Sequence, residues 1–294
     1  MKLSNLTFPK NYTVQKVGIT QSLLSIFLTC RVKFLLSVNG FYVPNYSKAL
    51  HFGTMGHKML VEYYTTGKYN IKNFCSSEFR IDQTEIERQK AVLEPIMKMY
   101  CSIYKNSEFT QNEKQFQARF HGFKLLIKID GLTSNGYLVD HKFRSKIDEN
   151  AIANQLSFDF QSLFYIIVLE SFFQQKFKGA YNNIIRHPQF KFNEDKESLK
   201  NFKMRLYEEI KKDPNHFFKR FQIPFTEKDK DDYKSELLYK LVDVEKLIKG
   251  ELQVYKNETA CKIAFPCQFL ETCSRGNLDL CKKRKNIFPE LDLN

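Results

Sequence analysis

Three consecutive segments in the middle of the chain alternate apolar and polar residues with the period of two that is typical of β-strands. They read KQFQARFHG, FKLLIKIDGL and GYLVDHKF, and His121-Gly122 and Ser134-Asn135-Gly136 separate them. Gly and Asn at these two places indicate tight turns. The pattern therefore predicts a β-meander, which restricts the chain to folds with a sheet at their centre.

Apolar residues with helical spacing lie on both sides of the meander. Before it we predict three helices, over about 20–36, 44–67 and 81–105. Thr20 or Ser22 is expected to cap the first helix, and Pro95 should kink or split the third. After the meander, the pattern predicts alternating helices and strands: a helix over 151–176, a strand over 179–188, a helix over 194–212, a strand over 217–225 and a helix over 226–250.

This order of elements favours one α/β domain over residues 1–294, with a central mixed β-sheet flanked by helices. We divide it into a helical N-terminal part over 20–110, a core over 111–225, and a C-terminal part over 226–294, where a helix precedes an irregular, cysteine-rich region. The sequence contains no GxxxxGK[ST] phosphate loop, so an ATP-driven motor is not expected.

The net charge of +13 and the pI near 9.2 favour a polyanionic partner, either nucleic acid or an anionic membrane surface. No apolar run approaches the roughly 20 residues that span a bilayer, and the first residues lack the apolar core of a signal peptide. We therefore expect a cytoplasmic, reduced protein with no membrane contact. In that setting, the seven cysteines are expected to be metal ligands or buried thiols rather than disulfides.

A carboxylate and an ammonium stand two residues apart in the last strand of the meander. Period-two alternation places Asp140 and Lys142 on one face, and a hairpin through Gly136 would bring Asp130, at the end of the preceding strand, next to Asp140. Paired carboxylates of this kind hold Mg²⁺ or Mn²⁺, and a nearby lysine can hold a phosphate oxygen or help to activate water. The simpler alternative is a structural salt bridge.

Three other polar residues accompany this pair. Gln161 and Tyr165 lie four residues apart on the following helix and therefore share a face. His57 follows Gly53 by four residues in GTMGH, on the second helix. Each of them has an ordinary alternative, since a histidine on an apolar helix is usually a core residue and a Gln/Tyr pair often serves packing.

The order GxxxH, then Asp at a strand end, then DxK, then QxxxY resembles the RecB-type branch of the PD-(D/E)XK nuclease superfamily, over about residues 20–273. The resemblance implies a restriction-endonuclease-like core. It also implies a set of metal ligands: His57, Asp130, Asp140 and the backbone carbonyl of His141. In the same way it implies that Lys142 is the catalytic lysine and that Gln161 and Tyr165 orient the site and the DNA.

Four cysteines lie close together near the C-terminal end: Cys261, Cys267, Cys273 and Cys281. They are separated by five, five and seven residues, which fits no standard zinc ribbon. Four thiols in a reduced chain indicate a soft-ligand site for zinc or for an iron–sulfur cluster.

A subset of the resembled family, including the AddB nuclease domain and the nucleases of CRISPR spacer acquisition, carries a structural [4Fe–4S] cluster. The resemblance implies one ligand from an early helix and three from the C-terminal end: Cys30, Cys261, Cys267 and Cys273. Cys281 competes for a place in this set. Arg31 stands where the family usually has Pro, and the first spacing of the tail is wider than the common CxxC. Cys75 and Cys101 are expected to be buried thiols.

These inferences lead to a metal-dependent DNA nuclease, expected to be an exonuclease on single-stranded DNA or DNA ends. The resemblance implies recombination, repair or spacer acquisition in a bacterium or its viruses, with protein partners or a ring assembly left open. Basic clusters, with Phe217, Phe218, Tyr165 and Tyr181, could line a groove for one strand. The clusters are Lys211-Lys212, Lys219-Arg220 and Lys282-Lys283-Arg284-Lys285. One alternative is an inactive DNA-binding or assembly subunit that keeps the fold and the cluster, and another is a redox enzyme.

Overall fold

The computed structural model of the protein describes residues 2–44, 47–71, 80–156, 159–193, 195–262 and 267–291. Its helices are α1 (Gln21–Thr29), α2 (Arg31–Val38), α3 (Lys48–Thr66), α4 (Gln83–Ile103), α5 (Glu149–Leu156), α6 (Phe160–Phe173), α7 (Leu199–Lys212), α8 (Pro214–Phe217), α9 (Glu227–Ile248), α10 (Glu258–Lys262) and α11 (Leu270–Arg275). Its strands are β1 (Ile19–Thr20), β2 (Phe41–Tyr42), β3 (Phe109–Asn112), β4 (Gln115–Phe120), β5 (Phe123–Lys128), β6 (Gly131–Thr133), β7 (Tyr137–Arg144), β8 (Gly179–Arg186), β9 (Phe218–Pro224) and β10 (Lys282–Lys283).

The main sheet has five strands in the order β3-β6-β7-β8-β9. β7 and β8 run parallel, from the pair Tyr137 and Gly179 to the pair Arg144 and Arg186, and the other neighbours are antiparallel. A smaller sheet, β1-β5-β4, also contains a parallel pair, between β1 and β5. The predicted α/β class with a mixed sheet and flanking helices is confirmed.

Helices cover both faces of the main sheet. On one face α6 and α9 form an apolar core with β5, β7 and α1, which includes Leu138, Phe164 and Leu241. On the opposite face α3, α4 and α7 form a second core, in which Met59 and Leu93 are fully buried. Both faces of β7 meet an apolar layer: Leu138 belongs to the first core, and Phe143 packs against the second.

Several predicted elements have different boundaries in the structure. The helix predicted over 20–36 is two helices, because Cys30 is extended (φ −162°, ψ 120°) between α1 and α2. The segment predicted as one helix over 151–176 contains α5 and α6, and Asp159 caps α6 through a hydrogen bond from the Ser162 amide. Pro95 does not split α4, which is continuous around it. Thr20 caps α1 as expected.

The predicted strand FKLLIKIDGL is divided between the two sheets. Its first half is β5 in the small sheet and its second half is β6 in the main sheet, with Ile129 and Asp130 between them. Strand β3, which the sequence pattern did not indicate, runs beside β6. The meander therefore crosses from one sheet to the other, and Asp130 lies at the crossing.

Early and late parts of the chain are joined by backbone contacts. β2 pairs with β10, the amide of Leu3 donates to the carbonyl of Gly276 (2.8 Å), and the amide of Val14 donates to Glu245 Oε1 (2.7 Å). A third apolar cluster, which includes Cys30 and Phe269, fills the space between α2 and the C-terminal region. In the part of the chain described, no helix has the length and apolar character needed to cross a membrane.

Candidate active site

Asp130 owes its position to the crossing between the two sheets. Across the crossing, the Ile129 amide donates to the Lys114 carbonyl at 3.0 Å. Gly131 then pairs with Val139 at the start of the β6–β7 hairpin. The carboxylate of Asp130 accepts a hydrogen bond from the backbone amide of His141 (2.7 Å). A single residue in the gap between two strands is thus fixed beside β7 by main-chain contacts.

Asp140 and Lys142 lie on one face of β7, as the alternation predicts. Lys142 Nζ is 3.0 Å from Asp140 Oδ1. Gln161 from α6 bridges them, because its Oε1 lies 3.4 Å from Lys142 Nζ while its Nε2 lies 3.3 Å from Asp140 Oδ1. The Lys142 side chain is 35% exposed and that of Asp140 is 16% exposed, so the carboxylate is the more deeply buried of the two groups.

His57 enters from α3, on the opposite side of the main sheet. Its Nδ1 lies 3.8 Å from Asp130 Oδ2, and its side chain is 36% exposed. The ring of Phe143 lies 5.7 Å from the His57 ring and packs over Gly56, where no side chain stands in the way. The structure therefore brings His57 to Asp130, as the resemblance implies, and Gly56 permits the close packing of α3 on β7.

Tyr165 lies one helical turn after Gln161 on α6 and is hydrogen-bonded to it. Burial raises the pKa of the Tyr165 hydroxyl, and the Asp130 and Asp140 carboxylates raise it further. The phenol is therefore neutral, and it lies close enough to both carboxylates for their charges to raise its pKa. The six side chains that the motifs single out are thus gathered around the β6–β7 hairpin: His57, Asp130, Asp140, Lys142, Gln161 and Tyr165.

The pKa values of the two carboxylates are shifted in opposite directions. Burial raises the pKa of Asp140 to about 6 against the opposing effect of Lys142, and Asp130 adds to the rise. Burial acts on Asp130 in the same sense, but His57, His141 and Lys142 outweigh it, and the pKa of Asp130 is lowered. Lys142 is desolvated, which disfavours its charge, yet the two carboxylates raise its pKa. Two negative charges so close together favour a cation between them.

His141 places its ring on the α3 side of β7, with its centre 6.3 Å from that of the His57 ring. Burial lowers the pKa of the imidazole to about 3, so the ring is neutral. Its Nδ1 lies 2.8 Å from Asn183 Nδ2, which also donates to Tyr100 Oη (2.7 Å). This hydrogen-bond network lies on the side of the main sheet that α3 and α4 cover. It fixes β7 at His141, the residue whose backbone amide donates to Asp130. The ligand role of the His141 carbonyl stays a prediction.

The fit of a metal ion can be tested on these contacts. Among the described residues, no three His, Cys, Asp or Glu side chains are arranged as a closed metal site. Mg²⁺ and Mn²⁺ do not need one, because they are commonly held by one or two carboxylates together with water and substrate phosphate. Asp130 and Asp140 supply two such carboxylates. The residues therefore fit a hard divalent cation that keeps part of its water shell.

Glu113 is a further acidic group that the motifs did not indicate. Its Oε2 lies 2.8 Å from Lys128 Nζ, and its side chain is 13% exposed. Burial raises the pKa of Glu113 and Asp130 raises it further, while Lys128 and His57 oppose this. The sequence contains this information, because residues at equal distances from a hairpin turn face each other on its two strands. Counted from the His121-Gly122 turn, Glu113 and Asp130 are such a pair.

The predicted cysteine ligands also lie near one another. Burial raises the pKa of Cys273 to about 11, and the thiols of Cys267, Cys30 and Cys261 add to the rise while Lys256 opposes it. All four are free thiols. Cys281 belongs to the same region, where its Sγ lies 3.4 Å from Thr272 Oγ1.

An iron–sulfur cluster or zinc would need several of these thiols as ligands. No three of the described cysteines are placed so that they could hold a metal ion, and the cluster stays a prediction. Cys75 lies outside the described residues. Cys101, on α4, is partly buried beside Tyr63 of α3. Desolvation raises the pKa of the Cys101 thiol to about 12.

Part of the predicted single-strand groove is wrong. Phe217 and Phe218 are 6% and 5% exposed and belong to the second apolar core, so they cannot stack on bases. Lys219 and Arg220 are engaged in ion pairs with Glu149 and Glu108. The sequence pattern could not separate these aromatics from surface ones, because burial does not alternate regularly along strand β9.

Comparison with known proteins gives one kind of match. No protein-family model and no curated protein matches the sequence. Among solved structures, the fold is similar to that of a protein from Eubacterium rectale named "Putative exonuclease", with a TM-score of 0.53 and 15% identity. The similarity covers 95% of this chain and 96% of the other chain. At this identity, the match establishes a shared fold over nearly the full length of both proteins.

Proposed function

We propose that this protein is a metal-dependent nuclease that hydrolyses phosphodiester bonds of DNA. The observation that carries the proposal is the convergence of Asp130, which lies between β5 and β6, with Asp140 and Lys142 of β7. Lys142 Nζ lies 3.0 Å from Asp140 Oδ1. His57 on one side and Gln161 on the other complete the group. The shared fold with a protein named as an exonuclease, and the motif order, support the same activity.

Asp130 and Asp140 would hold one or two Mg²⁺ or Mn²⁺ ions, with His57 and the His141 carbonyl as further ligands. When bound, such an ion polarises the phosphoryl group and lowers the pKa of water at the site. Asp130 is suited to this role because the His141 amide fixes one of its oxygens. Asp140 is suited because burial and the Asp130 charge raise the pKa of its carboxyl despite Lys142, so that a cation would stabilise the carboxylate.

Lys142 presents its ammonium at the exposed edge of the carboxylate pair. There it can hold a non-bridging phosphate oxygen and offset the negative charge that develops during hydrolysis. Gln161 contacts both Lys142 and Asp140 and so fixes their relative position. Tyr165, neutral and bonded to Gln161, keeps that amide in place and can donate to a phosphate oxygen.

A nucleic acid is a substrate that fits the charge of the protein, and we propose DNA on the basis of the resembled family. The net charge of +13 attracts a polyanion, and the exposed His57 and Lys142 side chains leave the site open at the surface. We propose that the enzyme is an exonuclease that acts on single strands or DNA ends. The name of the structural neighbour and the resembled family both support this choice. Cys30, Cys261, Cys267 and Cys273 would hold a structural [4Fe–4S] cluster, which takes no part in hydrolysis.

A digestion assay tests this proposal. Anaerobically purified protein is incubated with end-labelled single- and double-stranded DNA, with Mg²⁺, with Mn²⁺ and with chelator. We expect metal-dependent degradation that Lys142→Ala lowers at least about 100-fold, the loss typical for removal of one transition-state donor. Lys16→Ala, an exposed lysine elsewhere on the surface, is the matched control. Binding without cutting by the wild type would instead identify an inactive DNA-binding subunit.

A further inference from the structure

Asn182 lies beside Asp140 on the neighbouring strand of the main sheet. The two residues are register partners in the parallel pair of β7 and β8, and the side chains of such partners project from the same face of a sheet. The next residue supports this direction, because the Asn183 amide contacts His141 and Tyr100 on the side that α4 covers. Alternation along β8 therefore directs Asn182 to the opposite face, which carries Asp140.

Asp140 stands in a row of oxygen-bearing side chains that runs across the sheet. Gly131 pairs with Val139 in the β6–β7 hairpin, so Asp130, the residue before Gly131, comes opposite Asp140. Asn182 follows on the other side of Asp140. The row thus contains two carboxylates and then a neutral amide.

The Asn182 side chain is buried with an unsatisfied carbonyl oxygen. Asn182 is 5% exposed, and no described residue donates a hydrogen bond to its Oδ1. Its neighbours on the same face of β8, Ala180 and Ile184, are apolar and fully buried. An unpaired carbonyl in such surroundings lowers stability, whereas an apolar side chain of the same shape would not. An amide at this position therefore indicates a partner from outside the chain.

Three other buried side-chain atoms in the described part of the chain also lack a partner: His141 Nε2, Asn183 Oδ1 and Arg220 Nε. They belong to register neighbours on β7, β8 and β9. Asn183 contacts Tyr100 of α4, and Arg220 lies over the ring of Tyr104 at the end of α4 (4.4 Å). Within the described residues, Asn182 Oδ1 is thus the one atom of this kind on the face that carries Asp140.

A hydrated divalent cation would supply the missing donor. Lys142 Nζ and Gln161 Nε2 are already engaged with Asp140 Oδ1, at 3.0 and 3.3 Å. Mg²⁺ and Mn²⁺ keep part of their water shell in proteins, and these waters donate to acceptors around the ion. A neutral carbonyl accepts such a hydrogen bond without adding to the repulsion between the Asp130 and Asp140 carboxylates.

We propose that Asn182 is a positioning residue of the cation site, whose side-chain oxygen accepts a hydrogen bond from a water molecule on the divalent ion at Asp140. This inference rests on the proposed function, because it takes Asp130 and Asp140 as the carboxylates that hold the ion. It goes further by assigning a role to β8, a strand that none of the motifs GxxxH, DxK and QxxxY includes.

Binding of Mn²⁺ in the absence of DNA, measured from the electron paramagnetic resonance signal of the free ion, tests the proposal. Asn182→Leu removes the oxygen at nearly constant shape, and Asn182→Asp keeps an oxygen in its place. We expect Asn182→Leu to raise the Mn²⁺ dissociation constant at least about tenfold, the loss typical for a group that orients the ligands of a metal. Asn182→Asp should bind Mn²⁺ at least as tightly as the wild type.

Thermal melting distinguishes this role from a structural one. In chelator, Asn182→Leu should melt at least about 2 °C above the wild type, because an apolar group replaces an unpaired buried carbonyl. Asn183→Leu is the matched comparison, since the same change one residue later removes the contacts to His141 and Tyr100. It should melt at least about 2 °C below the wild type. Mn²⁺ should raise the melting temperature of the wild type more than that of Asn182→Leu.

Equal Mn²⁺ affinities of the wild type and Asn182→Leu would overturn the proposal, as would absence of Mn²⁺ binding by the wild type. Asn182→Leu that melts as low as Asn183→Leu in chelator would show a structural residue instead. A wild type that degrades DNA while Asn182→Leu binds Mn²⁺ normally refutes the role of Asn182 and leaves the nuclease standing. A wild type that loses Mn²⁺ binding in Asn182→Leu but never cuts DNA refutes the nuclease and keeps the cation site.

Discussion

The ring of Phe143 lies on the bare backbone of Gly56, so close that a Cβ at Gly56 would be 2.2 Å from its Cζ atom. The contact joins α3 to the strand that carries Asp140 and Lys142. Since His57 is the next residue of α3, this contact sets how near its imidazole comes to Asp130. A glycine on the helix thus determines a distance in the candidate active site.

Gly56→Ala should therefore destabilise the protein and impair its activity. The added methyl group must displace Phe143, and overpacking of this kind costs about 1–3 kcal/mol. Gly53→Ala is the matched control, because its Cβ would meet Phe143 only at 4.0 Å and alanine favours the helix by about 0.5–1 kcal/mol. Urea denaturation and the digestion assay check both variants. Equal stability of the two would contradict the steric account.

Glu113→Gln should raise the concentration of Mg²⁺ or Mn²⁺ that is needed for half-maximal cutting. The change leaves the Lys128 ammonium without its carboxylate partner next to Asp130, where it competes with the divalent cation. We expect an increase of about tenfold, or about 1.4 kcal/mol. Glu113→Gln/Lys128→Met should restore the wild-type metal dependence. If Glu113→Gln titrates with metal as the wild type does, Glu113 has no influence on the carboxylates.

Lys230→Ala should lower the free energy of unfolding by about 3 kcal/mol, because Lys230 is 1% exposed and its removal leaves buried negative charge without a partner. Its Nζ contacts Glu170 (2.6 Å), Glu227 (2.9 Å) and the Phe177 carbonyl (2.9 Å). Lys234→Ala, which breaks an exposed pair with Asp231, should stay within about 0.5 kcal/mol of the wild type. Denaturant titrations distinguish the two, and a loss of similar size in both would show that burial is not the cause.

The Lys230 contribution should also depend on pH. Hydrogen bonds from Lys176 and Lys230 lower the pKa of Glu227 to about 2 in the folded protein. A carboxyl whose pKa is lowered by folding stabilises the protein above its ordinary pKa, and this stabilisation is lost as the pH falls toward 2. The stability difference between wild type and Lys230→Ala should accordingly shrink in acid. A constant difference would assign it to packing alone.

Cys30→Ala should lower both the iron content and the melting temperature of anaerobically purified protein, because the proposed cluster would lose its only ligand from the early helices. Cys101→Ala is the control, since Cys101, on α4, lies beside Tyr63 of α3 and apart from the thiols of the proposed cluster. Iron analysis and visible absorbance check the variants. Cys281→Ala shows whether this thiol takes a ligand position, and iron retained in Cys30→Ala would remove Cys30 from the set.

Much of the site could be predicted because turns fix strand register. A turn at Gly136 predicts that the strand before it lies beside the strand after it. In the structure, Asp130 accepts a hydrogen bond from the amide of His141 on that second strand. Helical spacing likewise placed Gln161 and Tyr165 on one face of α6. These relationships are local, and local rules determine them.

Other features depend on contacts between distant parts of the chain. Apolar alternation runs without a break through FKLLIKIDGL, so nothing local marks the transfer from β5 to β6 at Ile129. No local signal marks the break between α1 and α2 either, since apolar residues with helical spacing continue on both sides of Thr29-Cys30-Arg31. The approach of His57 required the packing of Phe143 on Gly56, which no spacing rule reports.

The pairing of β2 with β10 and the bond from Val14 to Glu245 have a consequence for synthesis. A ribosome makes the N-terminal helices long before it makes the segments that complete them. Until almost the whole chain has emerged, the apolar sides of α1 and α2 lack their final cover, and we expect this surface to be exposed to chaperones and proteases. Prematurely terminated chains would lack that cover permanently, and we expect them to be degraded.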